Sequence, residues 1–184
     1  MRLEGMLDDI VVREETPADR RAIDVVNISA FANEDEANLI SRLRDSAAYI
    51  PELSLVAELH TRLVGHILLS AITLVGPQGD LKLLELGPMS VVPSQSYRGI
   101  GSALVRAALA KAGSLGYPAV VVIGHPEYYR RLGFVPLSEY AITCTLPVPD
   151  DAVSIKELVA GAVPRAGALR YPLPVVEFYG RARQ

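Results

Sequence analysis

The sequence predicts an α/β (α+β) fold in which helices flank a sheet of mixed direction, and three features carry that prediction. Apolar runs from Leu55 to Leu59 and from Leu63 to Leu74, joined at the polar pair Thr61-Arg62, read as an antiparallel hairpin. Gly99 to about Gly113 carries Ile100, Ala103, Leu104, Ala107 and Ala108 on one side, the periodicity of a helix packed on a sheet. Ala119 to Ile123 follows as a β-branched run suited to a buried parallel strand, so strand, helix and strand form one crossover unit.

The remaining elements follow in chain order. Ile10-Val11-Val12 is a short strand candidate. At Thr16-Pro17-Ala18-Asp19 a helix begins, because Thr can cap, Pro suits the first helical position and an acid occupies the third. Its apolar stripe runs through Ala22, Ile23, Val26 and Ala30, and a second stripe with Ala37, Ile40, Leu43 and Ala47 follows the polar break Asn33-Glu34-Asp35. Pro51 closes that section. After the hairpin, Gly76-Pro77-Gln78-Gly79-Asp80 is a turn, and Leu81 to Val92 is an apolar strand interrupted by Gly87-Pro88. Pro93 to Ser96 forms the loop before the long helix, which ends near Gly116. Pro126 to Leu132 reads as a short helix, and Phe134 to Val135 and Ala141 to Leu146 as strands. Residues 147 to 170 mix Pro, Ala and Gly around Ile155 to Ala160, taken as one or two helical turns, and Val175 to Tyr179 is taken as a last strand. With no repeat, low-complexity block or linker, residues 1–184 read as a single domain.

Composition narrows the function classes. Half of the 184 residues are apolar, enough for a sizeable core, and 18 basic against 21 acidic residues leave a net charge of −3. No Lys/Arg-rich run stands out, which argues against an electrostatic nucleic-acid binder. A lone cysteine, Cys144, and three scattered histidines lack zinc-ligand spacing, so no metal is expected. Met1 to Asp9 carries Glu4, Asp8 and Asp9 where a signal peptide needs a basic start and an apolar stretch. Apolar stretches break well short of the ~18 residues that a spanning helix needs. A cytoplasmic protein without a membrane partner is the expectation, with a homodimer left open.

The most informative segment runs from Val91 to Leu104, a strand passing through a loop into a helix. The first turn of a helix has amides without internal partners and lies at the positive end of the macrodipole, so it suits a phosphate. Gly99 and Gly101 allow close backbone approach, and Arg98 adds a charge-assisted donor. The same Gly-x-Gly also occurs in ordinary turns. A dinucleotide fingerprint is disfavoured, because its third glycine falls on Leu104 and the loop after the strand is too long. Upstream, Gly87-Pro88 predicts either a bulge with local parting of strands or an edge strand. In the first case, amides from Met89 to Val91 are left for an extended, amide-bearing ligand.

These residues resemble the GNAT superfamily of N-acetyltransferases. Its cofactor signature, Gln/Arg-x-x-Gly-x-Gly/Ala after a strand ending apolar-x-Val-x-Pro, is matched by Met89-Ser90-Val91-Val92-Pro93 and then Ser96 to Gly101. Ser96 departs from the Gln/Arg position, with Gln95 adjacent. The resemblance implies acetyl-CoA as cosubstrate, with Met89, Ser90 and Val91 along the acetyl-pantetheine part. Tyr97, Arg98, Gly99, Ile100, Gly101 and Ser102 then serve the pyrophosphate. It also implies a mixed, mostly antiparallel sheet of about seven strands flanked by helices.

Pro126 to Phe134 is similar to the family's second signature, an aromatic-Tyr pair four residues before Gly-Phe, which places Tyr129 in the second aromatic position. The resemblance assigns Tyr129 the protonation of the departing thiolate, a task for a phenol of reference pKa ~10. The alternative is that Tyr128 and Tyr129 are amphipathic packing residues. An amine attacks only when unprotonated, so a base is wanted near the acetyl group. Glu85, the one acid among apolar neighbours ahead of Gly87-Pro88, is the candidate, against the alternative of a solvent-facing strand residue. His125 is either a helix-start residue or a group at the strand's C-terminal end, and the family's nearby Asn is missing. Cys144 reads as a small packing hydrophobe, so direct transfer is expected over a covalent acyl-cysteine.

The expected activity is therefore acetyl transfer to a primary amine of a small molecule or peptide. A catalytically silent CoA-binding module and a nicotinamide oxidoreductase are the alternatives. The acceptor is unread, since its selectivity would lie in early helices such as Ala30 to Ala48.

Overall fold

The computed structural model describes residues 9–181, so most of the acidic N-terminal stretch read above lies outside the described residues. The chain runs β1 (Ile10–Glu14), α1 (Arg20–Phe31), α2 (Asp35–Arg44), β2 (Ser54–Leu59), β3 (Arg62–Gly76) and β4 (Gly79–Val91). It continues with α3 (Ile100–Ser114), β5 (Ala119–Ile123), α4 (Pro126–Arg130), β6 (Val135–Pro136), β7 (Ala141–Cys144), β8 (Val153–Glu157), β9 (Ala166–Arg170) and α5 (Leu173–Arg181). One sheet takes in all of these strands, in the order β1-β2-β3-β4-β5-β8-β6, with β9 branching from β3 and β7 beside β9. Most pairs are antiparallel, while β4–β5 and β7–β9 are parallel. Among the described residues nine strands thus stand where about seven were expected.

Strand alternation divides the core between the two faces of the sheet. Ile67 and Leu69 of β3, Leu84 and Leu86 of β4 and Val120 and Val122 of β5 pack with Ile100, Leu104 and Val105 of α3. Leu68 and Ile72 of β3, Leu83 of β4 and Val121 of β5 pack instead with Ile23 of α1, Ile40 and Leu43 of α2 and Val175 of α5. Glu85 has the parity of Leu83, so it enters the face covered by α1, α2 and α5.

Several expectations are corrected. Ile155 to Ala160 is not helical: β8 pairs antiparallel with β5 from Ala119↔Glu157 to Ile123↔Val153, completing the free edge of a central strand. Val175 to Tyr179 is helical rather than extended, because Pro174 sits in the first turn and Val175, Phe178 and Tyr179 share one stripe. The β2–β3 turn falls on His60-Thr61, both with positive φ, one residue before the expected pair. Ala22 is exposed, its place in the α1 stripe taken by buried Asn27, and Ala47 lies beyond the end of α2. Pro88 does not mark an edge strand: β4 lies between β3 and β5 up to Leu86, and at Gly87-Pro88 its register with β3 shifts, between Ile67 and Leu69, as it parts from β5. The Thr16 start is kept, with its N–H donating to the Asp19 carboxylate, though the first turn is 3-10 and α1 begins at Arg20.

A buried polar cluster ties the end of β1 to the sheet and to α2. Arg44 donates through Nε and Nη2 to Glu15 at 3.0 and 2.9 Å, Tyr49 Oη donates to it at 3.0 Å, and Ser54 and His66 also reach the carboxylate. Burial opposes the charge, but hydrogen bonds from His66, Arg44 and Ser54 outweigh it and hold Glu15 well below the usual carboxylate range. This cluster anchors α2, one wall of the cleft described next. No helix among the described residues is long and apolar enough to cross a membrane.

Candidate active site

β4 and β5 pair in parallel only from Leu84↔Val120 to Leu86↔Val122. Beyond Leu86 the strands part, and Met89 to Val91 keep β3 on one side and, among the described residues, no strand on the other. The parting opens a cleft of about 1000 Å³ that also reaches the start of α3, the β5–α4 junction, α1, α2 and α5. Met89, Ser90 and Val91 line it, with Ser90 Oγ buried and without a hydrogen-bond partner. The backbone there is an unused sheet edge.

The loop after β4 delivers the N-terminus of α3 to the same cleft. Tyr97, Gly99, Ile100, Gly101 and Ser102 line it, while Arg98 is an exposed residue of the same loop that is not among the lining residues. Gly99 caps α3 at φ 82°, a left-handed conformation that its side-chain-free backbone adopts without strain, and Tyr97 also has positive φ. Gly101 is helical, and its role is space. A Cβ there would lie 2.9 Å from Tyr128 Oη and 3.3 Å from Met89 Sδ. Ser96 and Gln95 both line the cleft, and Gln95 Oε1 is buried without a partner, so an amide is available beside the position where the family signature departs.

The two tyrosines of α4 take different places. Tyr128 Oη lies 3.4 Å from Ser102 Oγ, next to the α3 N-terminus. Tyr129 is buried against Gly124, where a Cβ would fall 2.7 Å from its ring, and it meets Tyr128 and Phe134 edge to face at 5.0 and 5.5 Å. Burial, with a smaller contribution from Tyr128, pushes the Tyr129 phenol above its ordinary range, so it stays protonated. His125 precedes α4 and also lines the cleft.

Glu85 is only 2 % exposed, lines the cleft and keeps Oε2 without a hydrogen-bond partner. The solvent-facing alternative therefore does not hold. Desolvation pushes its carboxyl up to about 8, from an ordinary 4.5. Cys144 is not among the lining residues; its Sγ sits 3.5 Å from Tyr171 Oη. Among the described residues no group of three or more His, Cys, Asp or Glu could hold a metal ion.

Sequence reasoning missed Glu36, Phe178 and Tyr179, which complete the cleft. Glu36 sits in the run Glu34-Asp35-Glu36, indistinguishable in sequence from a solvated helix start, and Tyr179 was assigned to a strand. The helical spacing of Val175 and Tyr179 after Pro174 was the available signal for α5.

Comparison with known proteins agrees with this geometry. Residues 21–134 match the model of the acetyltransferase (GNAT) family. The chain is 31% identical over 135 residues to the uncharacterized N-acetyltransferase YjhQ of Escherichia coli (strain K12), covering 73% of this chain and 75% of that protein. To the uncharacterized N-acetyltransferase YhbS of the same strain it is 30% identical over 157 residues, covering 84% and 90%. The crystal structure of YhbS in complex with CoA superposes with a TM-score of 0.83 at 26% identity, covering 91% of this chain and 92% of that one. A GNAT family acetyltransferase from Brucella melitensis in complex with acetyl-CoA superposes with a TM-score of 0.73 at 29% identity, covering 90% and 97%.

Proposed function

The chain belongs to the acetyltransferase (GNAT) family, and from that premise we infer that it moves an acetyl group from acetyl-CoA to a primary amine, directly, with donor and acceptor bound together. One observation carries the reading: buried Glu85 and Tyr129 line the same cleft as the parted edge of β4 and the N-terminus of α3. The cleft fits acetyl-CoA by its own features. Its unpaired strand edge suits an amide-bearing arm and the amides of its helix N-terminus suit a pyrophosphate, while the missing side chain at Gly101 lets Tyr128 and Met89 pack closely on α3 between them.

When bound, acetyl-CoA supplies the thioester carbonyl that an amine attacks. Glu85, poised near neutral pH, accepts the proton that the amine loses. Tyr129 donates to sulfur as the carbon–sulfur bond breaks, its phenol kept neutral by burial. Backbone groups of Met89 to Val91 hold the arm, and Tyr97 and Gly99 to Ser102 receive the phosphates, with Gln95 as a further side-chain donor. Release of free thiol from acetyl-CoA across a panel of amines tests the reading. Amine-dependent release is the expected result, and binding without release under any amine would leave a silent CoA-binding module.

A separate prediction concerns the loop. Acetyl-CoA near a hundredfold its Kd should raise the Tm by roughly 5–10 °C, since it binds the native state alone. Gly101→Val should abolish that shift, because the added side chain has to displace Tyr128 and Met89, both of which line the cleft, and so reshapes it at the helix entry. Scanning fluorimetry checks it, with acetate as the ligand that gives no shift in either protein. A full shift in a folded Gly101→Val variant removes the loop from the cofactor site.

A further inference from the structure

The α2 and α5 side of the cleft holds a second carboxylate that acetyl transfer itself leaves unused. Glu36, in the first turn of α2, lines the cleft, and its Oε2 is buried without a hydrogen-bond partner. Glu85 Oε2 is equally unpartnered, on a side chain almost wholly withdrawn from water. Tyr179 of α5 lines the cleft together with both acids, and burial first, then the charges of Glu85, Tyr129, Cys144 and, most weakly, Glu36, push its phenol up. Phe31 and Phe178 add aromatic rings to the same wall. Glu36 and Phe178 also border a smaller cavity of about 270 Å³, with Asp35, so a chain of atoms has room to continue past Glu36. Arg42 and Arg181 border that cavity as well, but Arg42 is paired with Glu177.

A buried carboxylate oxygen without a partner is costly, and the ligand that removes the cost is a cation able to donate hydrogen bonds. An acceptor with a single amine would satisfy Glu85 and leave Glu36 as it stands. One carrying a carboxylate would bring like charges together. Resting on the amine transfer inferred above, we propose that the acceptor is a dicationic amine, a diamine or longer polyamine, whose reacting nitrogen meets Glu85 while Glu36 binds a second ammonium beside the ring of Phe178.

The test uses the native protein with acetyl-CoA and three acceptor series of increasing length: α,ω-diamines, the n-alkylamines of matching length and the matching ω-amino acids. At the preferred length the diamine should exceed the alkylamine in kcat/KM by about tenfold or more, as a charge-assisted contact to a buried group predicts. Calorimetry with CoA bound should show the same order of affinity without turnover. Glu36→Gln should bring the diamine to alkylamine ratio toward one, and its Tm and acetyl-CoA thermal shift verify that it folds and binds the cosubstrate. Equal kcat/KM for diamine and alkylamine at every length, or a preference for the ω-amino acid, overturns the proposal while amine transfer stands. An unchanged ratio in folded Glu36→Gln overturns the role of Glu36. Thiol release with none of the amines, in a protein whose Tm responds to acetyl-CoA, overturns both readings together.

Discussion

Tyr129→Phe should lower kcat by on the order of 10²–10⁴-fold while acetyl-CoA affinity stays close to native. The substitution keeps the ring and its edge-to-face contacts with Tyr128 and Phe134, so the fold loses little, and only the hydroxyl is removed. A group needed as sulfur departs acts in the transition state, so its loss appears in kcat rather than in ground-state binding. Tyr128→Phe should show the reverse pattern. Its hydroxyl lies beside Ser102 at the start of α3, so its removal should weaken acetyl-CoA binding and leave kcat nearly as it was. Calorimetric affinity beside initial rates of thiol release, at saturating acceptor, separates the two. Native kcat in Tyr129→Phe, with chemistry shown to limit the rate, removes Tyr129 from the mechanism.

Glu85→Gln should cost a comparable factor in kcat/KM and should also change the pH dependence. With the carboxyl raised to about 8, activity in the native protein should climb as pH rises through that value, because only the ionised form accepts a proton. An acceptor amine titrates too, so the profile is measured with two acceptors of different amine pKa. The Glu85 limb should remain near pH 8 with both, and it should vanish in Glu85→Gln. Stability runs the other way. Between the ordinary 4.5 and about 8 the native state holds a proton that the unfolded chain has lost, so stability falls as pH rises across that window and levels off above it. Glu85→Gln should flatten that slope in denaturant titrations. A profile that moves wholly with the acceptor's pKa would assign the limb to the amine and leave Glu85 without a role as base.

Where residues lie close together in the chain, the sequence was enough. The strand-loop-helix passage from Met89 to Ser102 places its glycines by local geometry, and the structure puts Gly99 in a left-handed conformation at the helix entry. The Tyr128-Tyr129 pair and the Gly87-Pro88 break were legible for the same reason, since each acts within one element or at its end. Glu85 was visible as an oddity, an acid in an apolar strand. Its burial was not, because that depends on α1, α2 and α5 closing over the face it enters.

The sequence by itself determined the crossover of β4, α3 and β5 and the glycine-marked entry to α3, since periodicity and turn chemistry act over a few residues. Tertiary structure alone decided which acids give up contact with water, almost wholly at Glu85 and at one oxygen of Glu36. Glu36 and Glu85 are far apart in the chain, and they came to line one cleft, each with a buried carboxylate oxygen, only when α2, α5 and the parted β4 enclosed it. It also decided the identity of the C-terminal elements. β8 is a strand because β5 offers an edge to pair with, and α5 is a helix because Val175, Phe178 and Tyr179 have the face of the sheet to bury against. Neither surface exists until the rest of the chain has folded.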